Sequence, residues 1–121
     1  MQRDARVWLA DAVAAAHAVF VFCADRTLAS YRADLMLRSA VERQLEILGE
    51  SLGQLARASP DLGARIPDLR RIVGFRNFLA HAYATVEDDV VWAIVQSDVP
   101  ALRSVLEELL RELDAADPGR A

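Results

Sequence analysis

Apolar residues recur along this chain at helical spacing, and no stretch alternates with period two for long enough to predict a strand. Val7, Ala10, Ala14, His17 and Val21 share one line through a first predicted helix, from about Arg3 to Cys23. Asp25 and Thr27 interrupt it, and Thr27 fits the N-cap of a short turn through Tyr31. A long helix follows, from about Asp34 to Ala58, with Leu37, Val41, Leu45, Leu48, Leu52 and Leu55 as its apolar stripe. Glu42, Arg43, Glu46, Glu50 and Arg57 lie off that stripe and read as a solvated or interfacial face. Ser59-Pro60 stops the helix, DLGARIPDLR makes a turn, and Pro67 suits the start of the next helix.

That helix carries the stretch RNFLAHAY, Arg76 to Tyr83. Acidic residues in VEDD fit a further helix N-terminus, continued by Val90, Val91, Ile94 and Val95. Asp98 or Ser97 is expected to cap a last helix, from about Ala101 to Leu113, with Pro100 in its first turn. Leu102, Val105, Leu106, Leu109 and Leu113 form its apolar line. The expectation is an all-α fold, a four- to five-helix up-and-down bundle. Residues 1–114 read as one domain and 115–121 as a frayed tail.

Composition sharpens this. Hydrophobic residues make up 54% of the 121, more than a small isolated bundle needs, which hints at apolar surface buried between subunits. The formal net charge is −4, which argues against a broad, sequence-independent coating of nucleic acid. All the basic residues are arginine, which suits phosphate recognition but is more simply read as genomic base composition. The single cysteine, Cys23, precludes an internal disulfide and sits in an apolar run expected to be core. The run AVAAAHAVFVFCA is too short to span a bilayer and no secretory signal is visible, so a cytoplasmic protein is expected.

On a helical wheel Ile72, Phe75, Phe78, Leu79 and Ala82 fall in one arc. Gly74, Arg76, Asn77, Ala80, His81 and Tyr83 fall opposite, with Val73 the apolar exception. Asn77 and His81 are one turn apart, and Arg76 and Tyr83 two turns apart on one line. The face carries no carboxylate. Its small residues admit a close neighbour, as at an interface or cleft. A histidine can move a proton near neutral pH, and an arginine can stabilise charge on a phosphate. No ligand cluster of recognisable metal spacing occurs. A metal-free arginine–histidine site suits RNA, whose 2′-hydroxyl is an internal nucleophile that leaves a 2′,3′-cyclic phosphate. Each residue also has a plainer role open to it: His81 at an interface, Arg76 paired with Asp88 or Asp89, Tyr83 packed at a rim. Trp8 and Trp92 read as core or interface, and His17 as structural or interfacial.

The stretch R-N-x3-H-x-Y resembles the signature of the HepT-like toxins of the HEPN superfamily. AVERQLEILGESLGQL, with Leu45 to Glu50, resembles the family's second long helix. VEDDVVWAIVQSDVPALRSVLEEL, with Val91-Trp92 and Asp98 to Pro100, resembles its closing segment. The likeness spans about residues 4 to 113; Ala82 departs from the glycine found in many relatives. The resemblance implies a HEPN-like homodimer whose two R-x4-H helices face each other across a cleft, acting as a metal-independent ribonuclease toxin without cofactor. It implies Arg76 and His81 as catalytic, Asn77 as supporting, and Tyr83 as the residue adenylylated by a minimal nucleotidyltransferase antitoxin of the MntA type. The alternative is a non-catalytic docking subunit of a nucleotidyltransferase. RNA cleavage calls for positive potential, which Arg70, Arg71 and Arg76 would supply locally; an acidic cleft would count against it.

Overall fold

The computed structural model describes residues 4–74 and 88–116, and among these the only regular structure is helical. Helix α1 spans Ala5–Cys23, started by Asp4, whose carboxylate accepts the Arg6 N–H at 2.9 Å. Asp25, at φ 60°, turns the chain sharply after it. Helix α2, Leu28–Ala33, opens with a reciprocal box. The Ser30 N–H donates to Thr27 Oγ1 (3.1 Å) and the Thr27 N–H to Ser30 Oγ (2.9 Å). Asp34 then closes α2 and caps helix α3, Leu35–Ala58, through the Leu37 N–H at 3.0 Å.

Ser59 ends α3 and caps a short helix α4, Pro60–Ala64, with Pro60 in its first turn. The sequence reading of this region as a plain turn is therefore corrected. Asp68, at φ 56°, follows Pro67, and the next helix, α5, begins at residue 69, two positions after that proline. It is described over residues 69–74. After residue 88 the chain is helical through α6, Asp88–Ala93, and α7, Val99–Ala116, joined by a π-helical turn at Ile94–Asp98.

The turn replaces the expected break and cap at Ser97 or Asp98: no side chain caps it, and the Val99 N–H donates to the Ile94 carbonyl five residues back. Two features of the sequence account for it. Pro100 has no N–H, and its ring crowds the carbonyl four residues earlier. The buried positions also step from Val91 to Val95 to Val99, eight residues where two α-turns take about 7.2. A wider turn absorbs the excess and keeps Val99, Leu102, Leu106 and Leu109 on the core side.

Long-range pairs fix the directions. Arg6 on α1 meets Asp114 on α7 at 2.6 Å, and Arg103 of α7 lies over the Phe20 ring, 4.3 Å from its centre. So α1 and α7 run antiparallel. Arg38 near the start of α3 meets Asp88 at the start of α6, while Arg65 just beyond α4 meets Glu112 near the end of α7. So α3 and the α6–α7 rod run parallel, with α1 reversed against both, as an up-and-down bundle requires.

The six leucine and valine positions expected on α3 are all buried. The expected line on α1 is not its core line. Leu9, Ala12, Ala15, Ala16, Val19 and Cys23 face inward, whereas Ala14, His17 and Val21 are exposed. Helix α1 is apolar nearly all round, so spacing alone fits more than one face. By length and composition the whole of α1 would suffice to cross a membrane, unlike the shorter run first considered, but its inner positions pack against α3 and α7.

Candidate active site

Arg76, Asn77, His81 and Tyr83 lie outside the described residues, as do Phe75, Phe78, Leu79, Ala80 and Ala82. What the structure defines is the frame at both ends of that stretch and the helix surface between those ends.

At the leading end, α5 runs antiparallel along α3. Leu69 sits near the α3–α4 contact, where a Cβ on Gly63 would meet Ala56 Cβ at 2.9 Å, and Val73 lies against Gly53. Arg71 Nη2 reaches Asp98 Oδ2 in the π turn, at 3.2 Å. A small cavity of about 10 Å³, room for one water at most, lies between Ile72, Leu45, Leu48, Ile94 and Leu102 beside this pair. A Cβ on Gly74 would meet nothing within 4 Å among the described residues.

At the trailing end, Arg38 Nε is 3.9 Å from Asp88 Oδ1, and Arg38 Nη1 also donates to the Arg32 carbonyl. Tyr31 is wholly buried here, its ring centre 5.3 Å from that of Trp92. Its hydroxyl has no hydrogen-bond partner among the described residues. Burial, then the nearby Glu42 and Asp88 carboxylates, push the phenol well above its ordinary pKa. Glu42 is also raised, by burial first and by Asp88 next, with Arg38 opposing.

Between the two ends lies one face of α3. At about 100° per residue, Arg38, Glu42, Glu46 and Glu50 all fall within roughly 60° of Gly53, the residue facing Val73. They are half-buried rather than solvated. Glu46 accepts from Arg43 Nη1 at 3.3 Å, and Glu50 from Gln54 Nε2 at 3.2 Å. The sequence reading had these glutamates on a solvated or interfacial face, and their half-burial fits the second of the two. Of the arginines expected to give local positive potential, Arg71 is paired with Asp98, while Arg70 is exposed and pairs with no carboxylate among the described residues. No group of three or more metal-ligating side chains occurs among the described residues. Cys23 is buried, and burial raises its thiol pKa, which leaves it unreactive.

The described residues form a small all-helical bundle, with one polar face of α3 flanked by the Arg71–Asp98 and Arg38–Asp88 ion pairs. The model of the family described as Ribonuclease HepT-like matches residues 14–109. The chain therefore belongs to the HepT-like ribonuclease family of the HEPN superfamily. A protein of Methanocaldococcus jannaschii named as a candidate RNase is 32% identical over 108 residues, covering 88% of this chain and 96% of its own length. The "Probable ribonuclease HepT" of Thermococcus cleftensis is 30% identical over 109 residues, covering 90% and 98%. A second M. jannaschii protein, named as a gamma-glutamylcyclotransferase and candidate RNase, is 25% identical, and the match covers 51% of its length. No solved structure matches the chain significantly.

Proposed function

We propose that this chain is a metal-independent endoribonuclease of the cytoplasm that acts as a homodimeric toxin and is silenced by adenylylation of Tyr83. The observation that carries the reading is the family match over residues 14–109, which encloses the Arg76–His81 motif. In this reading His81 takes the proton of a ribose 2′-hydroxyl, the 2′-oxygen attacks the adjacent phosphorus, and Arg76 holds the charge gathering on the phosphate oxygens. Asn77 orients the imidazole. The 5′-oxygen leaves and a 2′,3′-cyclic phosphate remains. Adenylate added to Tyr83 by a nucleotidyltransferase antitoxin would place a second phosphate within reach of Arg76 and compete for it.

One observation favours a second reading. The α3 face in line with the Gly53–Val73 contact bears Glu42, Glu46 and Glu50, which suits docking of a basic protein surface better than RNA. In that reading the chain is the docking subunit of a nucleotidyltransferase. Cleavage of total RNA and transfer RNA in EDTA, wild type against His81→Ala, separates the two. Cyclic-phosphate ends from wild type alone support the nuclease. A folded wild type that cuts nothing and whose Tyr83 peptide carries no adenylate supports docking.

A further inference from the structure

We propose that the open cleft between the end of α1 and the π turn is a binding site for an organic cation, a guanidinium or ammonium group on a short aliphatic stem. Nothing in the site draws on the nuclease reading. The cleft holds about 240 Å³, room for a ligand of that size. Phe20 lines it from α1, Asp25 and Arg26 from the turn that follows, and Val95, Gln96 and Pro100 from the π turn and the start of α7.

Its polar groups are acceptors without donors. Asp25 meets no cation among the described residues. The exposed Gln96 carboxamide has no hydrogen-bond partner among them either. Helix α1 ends at the same place, with the partial negative charge of its dipole and no basic residue in its last turn. The π turn adds a main-chain oxygen. The Val99 N–H, which would serve the Val95 carbonyl in an α-helix, donates to the Ile94 carbonyl instead. The next N–H along, which a π turn would offer, belongs to Pro100 and does not exist. The Val95 carbonyl is therefore left without a helical donor, and a buried carbonyl calls for one.

The positive charges nearby are already matched. Arg26 Nη1 lies 3.5 Å from Asp34 Oδ2, and Arg103 Nε donates to Glu107 Oε1 at 2.9 Å. The Asp25 charge and the end of α1 remain uncompensated, so the cleft favours a cation over an anion. Its apolar wall suits the stem. Phe20 is 51% exposed, and Arg103, 4.3 Å from the ring centre, shows that this ring accepts a guanidinium.

An amide NMR titration of the full chain tests the site with n-butylguanidinium, its neutral isostere n-butylurea, and inorganic phosphate. The guanidinium is expected to shift the amides of Asp25, Arg26 and Gln96 along one saturable curve, and the urea is not. Asp25→Asn keeps the side-chain shape and suits the φ of 60°, so it folds, and it should weaken binding severalfold. Pro100→Ala supplies the missing N–H and should also weaken binding. Arg26→Gln removes a repelling charge and should leave binding equal or tighter. Glu112→Gln, near the far end of α7, is the control and changes nothing. Spermidine and N-acetylarginine amide, compared next, tell a free amine from an arginine side chain by which binds more tightly. No saturable shift, equal shifts with butylurea, or wild-type affinity in a folded Asp25→Asn protein overturns the proposal. So does phosphate saturating the same amides and losing its effect in Arg26→Gln, which would make the cleft an anion site.

Discussion

Replacing Tyr31 with phenylalanine is expected to stabilise the protein. The side chain is 0% exposed, and its hydroxyl has no hydrogen-bond partner among the described residues. A hydroxyl buried without a bond costs about 1–3 kcal/mol by the measure of protein substitutions. Phenylalanine removes that cost and keeps the ring, and with it the tilted packing on Trp92 at 5.3 Å. The void left by one oxygen is too small to offset the gain by more than a fraction of it. The expected net change is therefore a gain of about 1 kcal/mol, or roughly 4 °C in Tm for a chain of this size.

Urea unfolding followed by circular dichroism measures it: the midpoint should rise with the slope unchanged. Tyr31→Leu serves as the contrast. It removes the same hydroxyl but also the ring pair, worth about 0.5–1.5 kcal/mol beyond its area, so it should fall below Tyr31→Phe by at least that much. A Tyr31→Phe protein less stable than wild type by about 1 kcal/mol would refute the reasoning. It would mean that the hydroxyl is bonded in solution and that the hub where α2, α3 and α6 meet is held by that bond.

Glu42→Gln is expected to raise stability at neutral pH. The folded carboxyl pKa is raised, chiefly by burial and then by Asp88, so the charged form is disfavoured on folding. Its share of stability is full below the unfolded value of about 4.3 and is lost as pH rises through the folded value. The gain in Tm from Gln should therefore vanish by about pH 4, and a gain that persists there would contradict it. Gly63→Ala is expected to destabilise by about 1–3 kcal/mol, because the new methyl meets Ala56 Cβ at 2.9 Å. Gly74→Ala, with nothing within 4 Å of the new methyl among the described residues, should be neutral or add up to about 1 kcal/mol in chemical denaturation. Leu106→Ala, at a wholly buried position of α7, should lose about 2–5 kcal/mol and leave a lower urea midpoint.

The helices with one charged face were the legible ones. On α3 the polar residues are numerous enough to leave only one apolar line, and Leu37 through Leu55 all proved buried. On α1 the same reasoning picked Val7, Ala10, Ala14, His17 and Val21, because alanine and valine on every side give the periodicity no contrast. The break expected at Ser97–Pro100 had sound local chemistry, a capping residue and a proline. The four-residue steps from Val91 to Val99 were the signal that the helix continues by widening. The pairing of Arg71 with Asp98 depends on which helices lie side by side, and no local pattern encodes that. Of the motif, the sequence supplies the residues and their order; the structure supplies the two ends of its frame.

The Arg6–Asp114 pair has a practical consequence for engineering. It brings the start of α1 and the end of α7 to one pole of the bundle, while Arg38 and Asp88 lie at the other. A short linker could therefore join residues on either side of that pair, with the chain reopened in the exposed turn at Asp25–Arg26, without crossing the core. By the same geometry, the start of α1 and the end of α7 lie about the length of α3 away from the Arg38–Asp88 pair.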